Sequence, residues 1–103
     1  MKKILSLASL LMIAGVATSC FADVYDEGKT AYEQKRYSDA VALYSKACES
    51  TNAKACLNLA SMYENGEGLP QNKYQASILY TKACRANVAL GCSSMAALSY
   101  DNP

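Results

Sequence analysis

The chain repeats part of itself at an interval of 36 residues. The segment from Ala40 to Cys56 aligns with the segment from Ala76 to Cys92, and eight positions are identical. The identical pairs are Ala40/Ala76, Leu43/Leu79, Tyr44/Tyr80, Lys46/Lys82, Ala47/Ala83, Cys48/Cys84, Ala53/Ala89 and Cys56/Cys92. A fixed period of this length is typical of stacked supersecondary units, none of which can bury its apolar face alone. The repeat therefore predicts a stack of such units.

The first 22 residues have the three parts of a secretory signal peptide. Lys2 and Lys3 form the positive end, residues 4–17 form the apolar core, and Cys20-Phe21-Ala22 is a small-x-small cleavage site. We therefore predict a signal peptide over residues 1–22 and a mature domain over 23–103, located in the periplasm or secreted. In the alternative interpretation, residues 17–20 are a lipobox, Cys20 carries lipid, and the protein stays on a membrane.

Charge and composition exclude several classes of protein. Without Lys2 and Lys3, eight basic residues stand against nine acidic ones, and a net charge near −1 argues against nucleic-acid binding. The chain has no histidine, which excludes Ser-His and Cys-His nucleophiles. Its cysteines are spaced too widely for a zinc site. We predict no catalytic residue, no metal and no cofactor.

Apolar periodicity and capping residues predict a helical hairpin in the first half of the chain. The first helix is expected over Val24–Lys35, with a turn at residues 36–38. Ser38 or Asp39 is expected to cap the second helix. The apolar residues of that helix recur at intervals of three and four, which places them on one face.

The second half predicts another hairpin and one further helix. Asn52 is expected to cap a third helix from residue 53 to about Glu64, with Gly66 at its end. Leu59, Met62 and Tyr63 are expected on its buried side. A connection rich in Gly, Asn and Pro spans residues 65–72, and a last helix over residues 88–100 is expected to act as a cap.

The spacing of small and aromatic residues in the first hairpin resembles a tetratricopeptide repeat, carried by Gly28, Ala31, Tyr32, Tyr37, Ala40, Tyr44 and Ala47. Residues 59–69 followed by 76–83 resemble a Sel1-like repeat, the variant of that family with an extended loop, although Ala60 replaces the usual Gly. One cysteine pair per repeat is similar to the cysteine-rich Sel1-like proteins of Helicobacter and relatives. The resemblance implies an all-α fold, an α/α solenoid of two helical hairpins plus a C-terminal capping helix.

The cysteines indicate two disulfide staples. Cys48 and Cys56 would lie roughly 12 Å apart within one helix, beyond the roughly 7 Å limit for a disulfide, so the chain must reverse between them. Bonds between equivalent cysteines of successive repeats would have to cross stacked helices whose axes are roughly 8–10 Å apart. We therefore predict Cys48–Cys56 and Cys84–Cys92, two structural bonds.

The tetratricopeptide resemblance also implies a binding surface. In that family the first helix of each hairpin lines a concave face where an extended peptide can lie. Transferred onto this chain, the concave positions are Lys29, Tyr32, Lys54, Leu57, Ser61, Glu64 and Ser93. The lysines are candidates to hold a carboxylate of the partner.

These inferences favour an exported module that binds a protein or peptide. The Helicobacter relatives are described as penicillin-binding proteins with weak β-lactamase activity, so a β-lactamase-like hydrolase is the alternative. The chain lacks the Ser-x-x-Lys and Lys-Thr-Gly motifs of serine β-lactamases. A small inhibitor or immunity-type protein is a second alternative.

Overall fold

A computed structural model describes residues 20–101. The first 19 residues, which hold most of the predicted signal peptide, lie outside the described residues. Five helices follow one another: α1 Cys20–Glu33, α2 Tyr37–Glu49, α3 Ala53–Asn65, α4 Lys73–Arg85 and α5 Ala89–Asp101. Each helix packs chiefly on its neighbours in sequence. The predicted all-α solenoid of two hairpins and a C-terminal helix is confirmed. Within residues 20–101, no helix combines the length and apolar character of a membrane span.

Four helices end in the same backbone motif. In each, one residue adopts a left-handed conformation: Lys35 (φ 62°), Thr51 (φ 72°), Gly66 (φ 71°) or Asn87 (φ 68°). The next amide then donates to a carbonyl five residues back, as in the bonds Arg36 N–Ala31 O, Asn52 N–Ala47 O, Glu67 N–Met62 O and Val88 N–Ala83 O. This is the geometry of a Schellman motif, which satisfies carbonyls left unpaired at a helix end. Gly66 ends α3 as predicted.

The predicted boundaries of the first hairpin need correction. Helix α1 starts at Cys20 rather than Val24, and it ends at Glu33 because Lys35 turns left-handed. Helix α2 begins at Tyr37, after a single N-cap residue, Arg36, which makes no side-chain cap bond. The prediction that Ser38 or Asp39 caps α2 is therefore wrong. The tight turn leaves only Gln34, Lys35 and Arg36 between the two helices. The Arg36 guanidinium donates to Asp39 at 2.9 Å.

Asparagine caps begin the next two helices. The Asn52 side chain accepts a hydrogen bond from the Ala55 amide at 3.0 Å, as the sequence predicted. Asn72 accepts from the Gln75 amide at the same distance and starts α4. Each cap satisfies one of the amides left without a partner at a helix start.

Thr51 is poorly suited to its conformation, which yields a stability prediction. A β-branched residue is a genuine outlier at positive φ, whereas Asn tolerates it far better. Asn87 occupies the same position one repeat later. We expect Thr51→Asn to raise the free energy of unfolding by about 0.5–1 kcal/mol. Urea unfolding measures this, and Asn87→Thr should show a loss of similar size. A neutral result for both substitutions would contradict the prediction.

Small residues bring the helices of each hairpin together. Ala31, Ala40, Ala76 and Ala83 have no exposed surface. Gly28 lies so close to the Tyr44 ring that a Cβ there would be 2.8 Å from two ring carbons. The close crossing allows a core of modest side chains in two clusters, one around Tyr44, Leu59 and Met62 and one around Ala60, Ala76, Tyr80 and Leu98. Leu59 and Met62 are buried as predicted, and Tyr63 packs against both clusters.

Both predicted disulfides are present. Cys48 and Cys56 are joined with their Cα atoms 4.7 Å apart, and Cys84 and Cys92 with theirs 4.6 Å apart. Each bond bridges the turn between the last helix of one unit and the first helix of the next, so it fixes the joint between successive units. Covalent restraint at these joints supports a core that is small for a chain of this length.

Candidate functional site

The turns and staples described above hold α1 and α3 around a shallow groove. Its volume is about 270 Å³, and α1, α2 and α3 all contribute to its lining: Lys29, Tyr32, Glu33, Tyr44, Asn58 and Ser61. Three of the residues predicted for the concave face, Lys29, Tyr32 and Ser61, are therefore brought together. The groove is smaller than the roughly 300–1,000 Å³ typical of small-molecule sites, so its size suits one or two side chains of a peptide.

Besides the tyrosine hydroxyls and the Glu33 carboxylate, three side chains provide polar groups along the groove. The Lys29 ammonium lies 5.7 Å from the centre of the Tyr25 ring, within the range of a cation–π contact. The Asn58 amide donates to the Tyr25 hydroxyl across the groove at 3.4 Å. Ser61 lies three residues beyond Asn58, on the same side of α3. Together they offer a cation, an amide and a hydroxyl to a partner.

Tyr32 is held in place by the loop between α3 and α4. Its hydroxyl donates to both carboxylate oxygens of Glu67, at 2.9 and 3.1 Å. Its ring also packs against Tyr37, with the centroids 5.2 Å apart. The hydrogen bond to Glu67, together with burial, raises the pKa of Tyr32 above its ordinary value. Tyr32 is thus a neutral and firmly oriented wall of the groove.

A second tyrosine–glutamate pair joins the two helices of the second hairpin. The Tyr80 hydroxyl donates to Glu64 at 2.7 Å. Burial and then this hydrogen bond raise the pKa of Tyr80 well above its ordinary value. Glu64, predicted for the binding face, therefore has an intramolecular partner and orients α4 against α3.

The other predicted residues lie away from the groove. Lys54 is exposed at the start of α3, and Leu57 is half-buried against the second core cluster. Ser93 is exposed on α5, where its hydroxyl donates to the Leu90 carbonyl at 3.2 Å. The groove thus occupies only part of the surface that the repeat register predicts.

Sequence reasoning missed two residues here, Asn58 and Glu67. Asn58 could have been found, because it lies one turn before Ser61 on the same helix. Glu67 gives no comparable signal, since its position depends on how the loop folds back toward α1. Tyr44 was expected only in the core, but it also forms part of the groove floor.

The geometry defines an α-solenoid of helical hairpins with stapled joints and an open groove on one side. A family model for the Sel1 repeat matches residues 22–52 and 53–88, which are the α1–α2 and α3–α4 hairpins. These two matches cover about two thirds of the chain, which belongs to the Sel1-repeat family. No curated protein matches the chain at a significant level. A closer relation to the cysteine-rich branch from Helicobacter stays a prediction.

Proposed function

We propose that this chain is an exported module whose α1–α3 groove binds an extended segment of another protein. Sel1 repeats are protein-interaction modules, which gives the general class. The observation that carries the proposal is the convergence of Lys29, Tyr32 and Ser61 on one groove. Tyr25 contacts Lys29 and Asn58, and Glu67 holds Tyr32, so these lining residues lose little conformational freedom when a partner binds.

The chemistry of the groove favours a particular kind of segment. The Lys29 ammonium suits a carboxylate of the partner, and the Asn58 amide and Ser61 hydroxyl suit a backbone or polar side chain beside it. Tyr32 and Tyr44 supply apolar ring surface between these groups. We therefore propose a peptide segment that places an acidic residue next to a small apolar one.

Substitutions in the groove test this proposal. We expect Lys29→Glu and Ser61→Arg each to weaken partner binding by about tenfold or more, because one introduces repulsion and the other adds bulk. Stability should change by no more than about 0.5 kcal/mol for Lys29→Glu, since this residue is exposed. The partner is identified by crosslinking in envelope extract and mass spectrometry, and its affinity is then measured with purified components by calorimetry.

The matched control is Lys46→Glu, which makes the same charge change on an exposed site of α2 outside the groove. Lys54→Glu tests whether the surface extends to the start of α3. If Lys46→Glu abolishes binding while both groove variants bind normally, the working surface lies on the second helices of the hairpins, and the proposal fails.

Export is the second part of the proposal. Two closed disulfides fit an oxidising compartment outside the cytoplasm. Cleavage after residue 22 would shorten α1 by three residues while retaining Val24 and Tyr25, which pack against the first core cluster. We expect the intact mass of protein from the envelope fraction to correspond to an N-terminus at Asp23. A diacylglyceryl group on Cys20 would instead show a lipoprotein anchored in a membrane.

A further inference from the structure

Charge is segregated along the stack. Helix α1 carries four acidic residues and one lysine, a net charge of −3. Helix α4 carries three basic residues and no acidic one, a net charge of +3. The two helices are separated by α2 and α3. In the described part of the chain the single ion pair is Arg36–Asp39, so the two charged regions do not neutralise each other internally.

The acidic region surrounds an open depression on the first hairpin. This acidic depression has a volume of about 750 Å³ and is lined only by the first hairpin and its turn: Asp26, Glu27, Thr30, Arg36, Asp39, Ala42 and Leu43. Arg36 is paired with Asp39, which leaves the charges of Asp26 and Glu27 available. Ala42 and Leu43 add apolar surface to this depression.

The repeat indicates which side of the first hairpin this depression occupies. Gly28 and Ala60 are equivalent, because each is the buried small residue at the crossing of its hairpin. When the two hairpins are aligned on these residues, Glu27 and Thr30 correspond to Leu59 and Met62. The side chains of Leu59 and Met62 are buried against the preceding hairpin, α1–α2. In the described residues, no hairpin precedes α1. The acidic depression is thus the side of the first unit on which a stack would continue.

The basic region combines charge with exposed apolar side chains. Tyr74 is 75% exposed and Ile78 45% exposed, one turn apart on α4. Lys82 and Arg85 continue the same face, and Ile78, Lys82 and Arg85 line a groove of about 460 Å³. We call these four residues the basic stripe. The corresponding residues of α2 are Ser38, Ala42, Lys46 and Glu49, so the repeat itself does not require an apolar and basic surface here.

We propose that the basic stripe of one molecule docks into the acidic depression of a second copy. Lys82 and Arg85 would face Asp26 and Glu27, and Tyr74 and Ile78 would cover the apolar surface of Ala42 and Leu43. Because the two surfaces differ, the interface is heterologous, and each added molecule leaves one surface of each kind free. Association therefore proceeds head to tail and weakens as salt screens the charges.

Sedimentation velocity of the purified, oxidised protein tests this proposal. We expect the mean mass to rise with protein concentration at low ionic strength and to return to that of a monomer near 1 M salt. The double variants Lys82→Glu/Arg85→Glu and Asp26→Lys/Glu27→Lys should each weaken self-association by about tenfold or more, since they place like charges opposite each other. Circular dichroism confirms that each variant is folded.

Mixing the two double variants gives the decisive measurement. The Lys82→Glu/Arg85→Glu variant keeps its acidic depression but has lost the basic stripe, and the Asp26→Lys/Glu27→Lys variant keeps its basic stripe but has lost the acidic depression. In the mixture, the reversed, basic depression of one variant meets the reversed, acidic stripe of the other, and hetero-association should return. Lys54→Glu is the control, because it removes a cation elsewhere and should leave self-association unchanged. A monomer at all concentrations in low salt, or no recovery on mixing, would overturn the proposal without affecting the α1–α3 groove.

Discussion

Replacing Cys48 and Cys56 together by alanine is expected to lower the melting temperature by about 10–20 °C. A disulfide that closes a loop this short contributes about 2–3 kcal/mol on the chain-entropy model. For a domain of this size, each kcal/mol corresponds to roughly 4–8 °C. The loss should be at the upper end of this range, because both sulfur atoms belong to buried residues and their removal also leaves a cavity. Thermal unfolding followed by circular dichroism provides the measurement.

The second staple is the matched control for the first. The Cys84–Cys92 bond closes a loop of the same length, so the entropic contribution is the same. Its cysteines are only half-buried, so alanine at both positions should cost less than at the first pair. A shift below about 3 °C for the first pair, or a larger shift for the second, would contradict this account of the staples.

Gly68→Ala is the single substitution from which we expect the largest effect. Gly68 has φ of +80°, and a Cβ there would lie 2.7–2.8 Å from the carbonyl carbon, the oxygen and the Cβ of Tyr37. The left-handed conformation costs an alanine roughly 1–2 kcal/mol, and the forced shift of a neighbouring backbone costs roughly 1–3 kcal/mol more. Urea unfolding should therefore show a loss of about 2–5 kcal/mol.

Gly66→Ala separates the two parts of this effect. Gly66 has a similar φ of +71°, but its nearest contact is the Gln71 Cβ at 3.3 Å. It should cost only about 1–2 kcal/mol, the conformational part alone. The difference between the two variants measures how tightly the loop is seated on the start of α2. Equal losses would mean that the loop moves away freely, and that Glu67 does not hold Tyr32 rigidly.

The repeat in the sequence accounts for most of the fold that could be predicted. The two units share identical residues, above all alanines and cysteines. These indicate the same packing and the same chain reversals in both units, so both disulfides could be predicted. The start of α2 was missed because capping rules look for a polar side chain, whereas a backbone motif at Lys35 sets this turn. The same rule succeeded at Asn52, where a side chain forms the cap.

The candidate groove was only partly predictable for a related reason. The repeat register predicts which residues share a helix face, and this was enough to identify Lys29 and Ser61 as groove residues. It does not show which of them converge, because that depends on how closely α1 and α3 approach and on a loop whose shape two left-handed glycines determine. Glu67 reaches Tyr32 across 35 positions of sequence, a distance over which local patterns carry no information.

The position of the staples also has a mechanical consequence. Each bond joins residues eight positions apart, which could span up to about 28 Å when fully extended, and holds their Cα atoms less than 5 Å apart. If the two ends of the chain are pulled apart, about 23 Å of contour at each joint therefore cannot extend until a sulfur–sulfur bond is cleaved. Helices can lose their turns under load, but the joints between units act as covalent stops that limit how far the molecule lengthens.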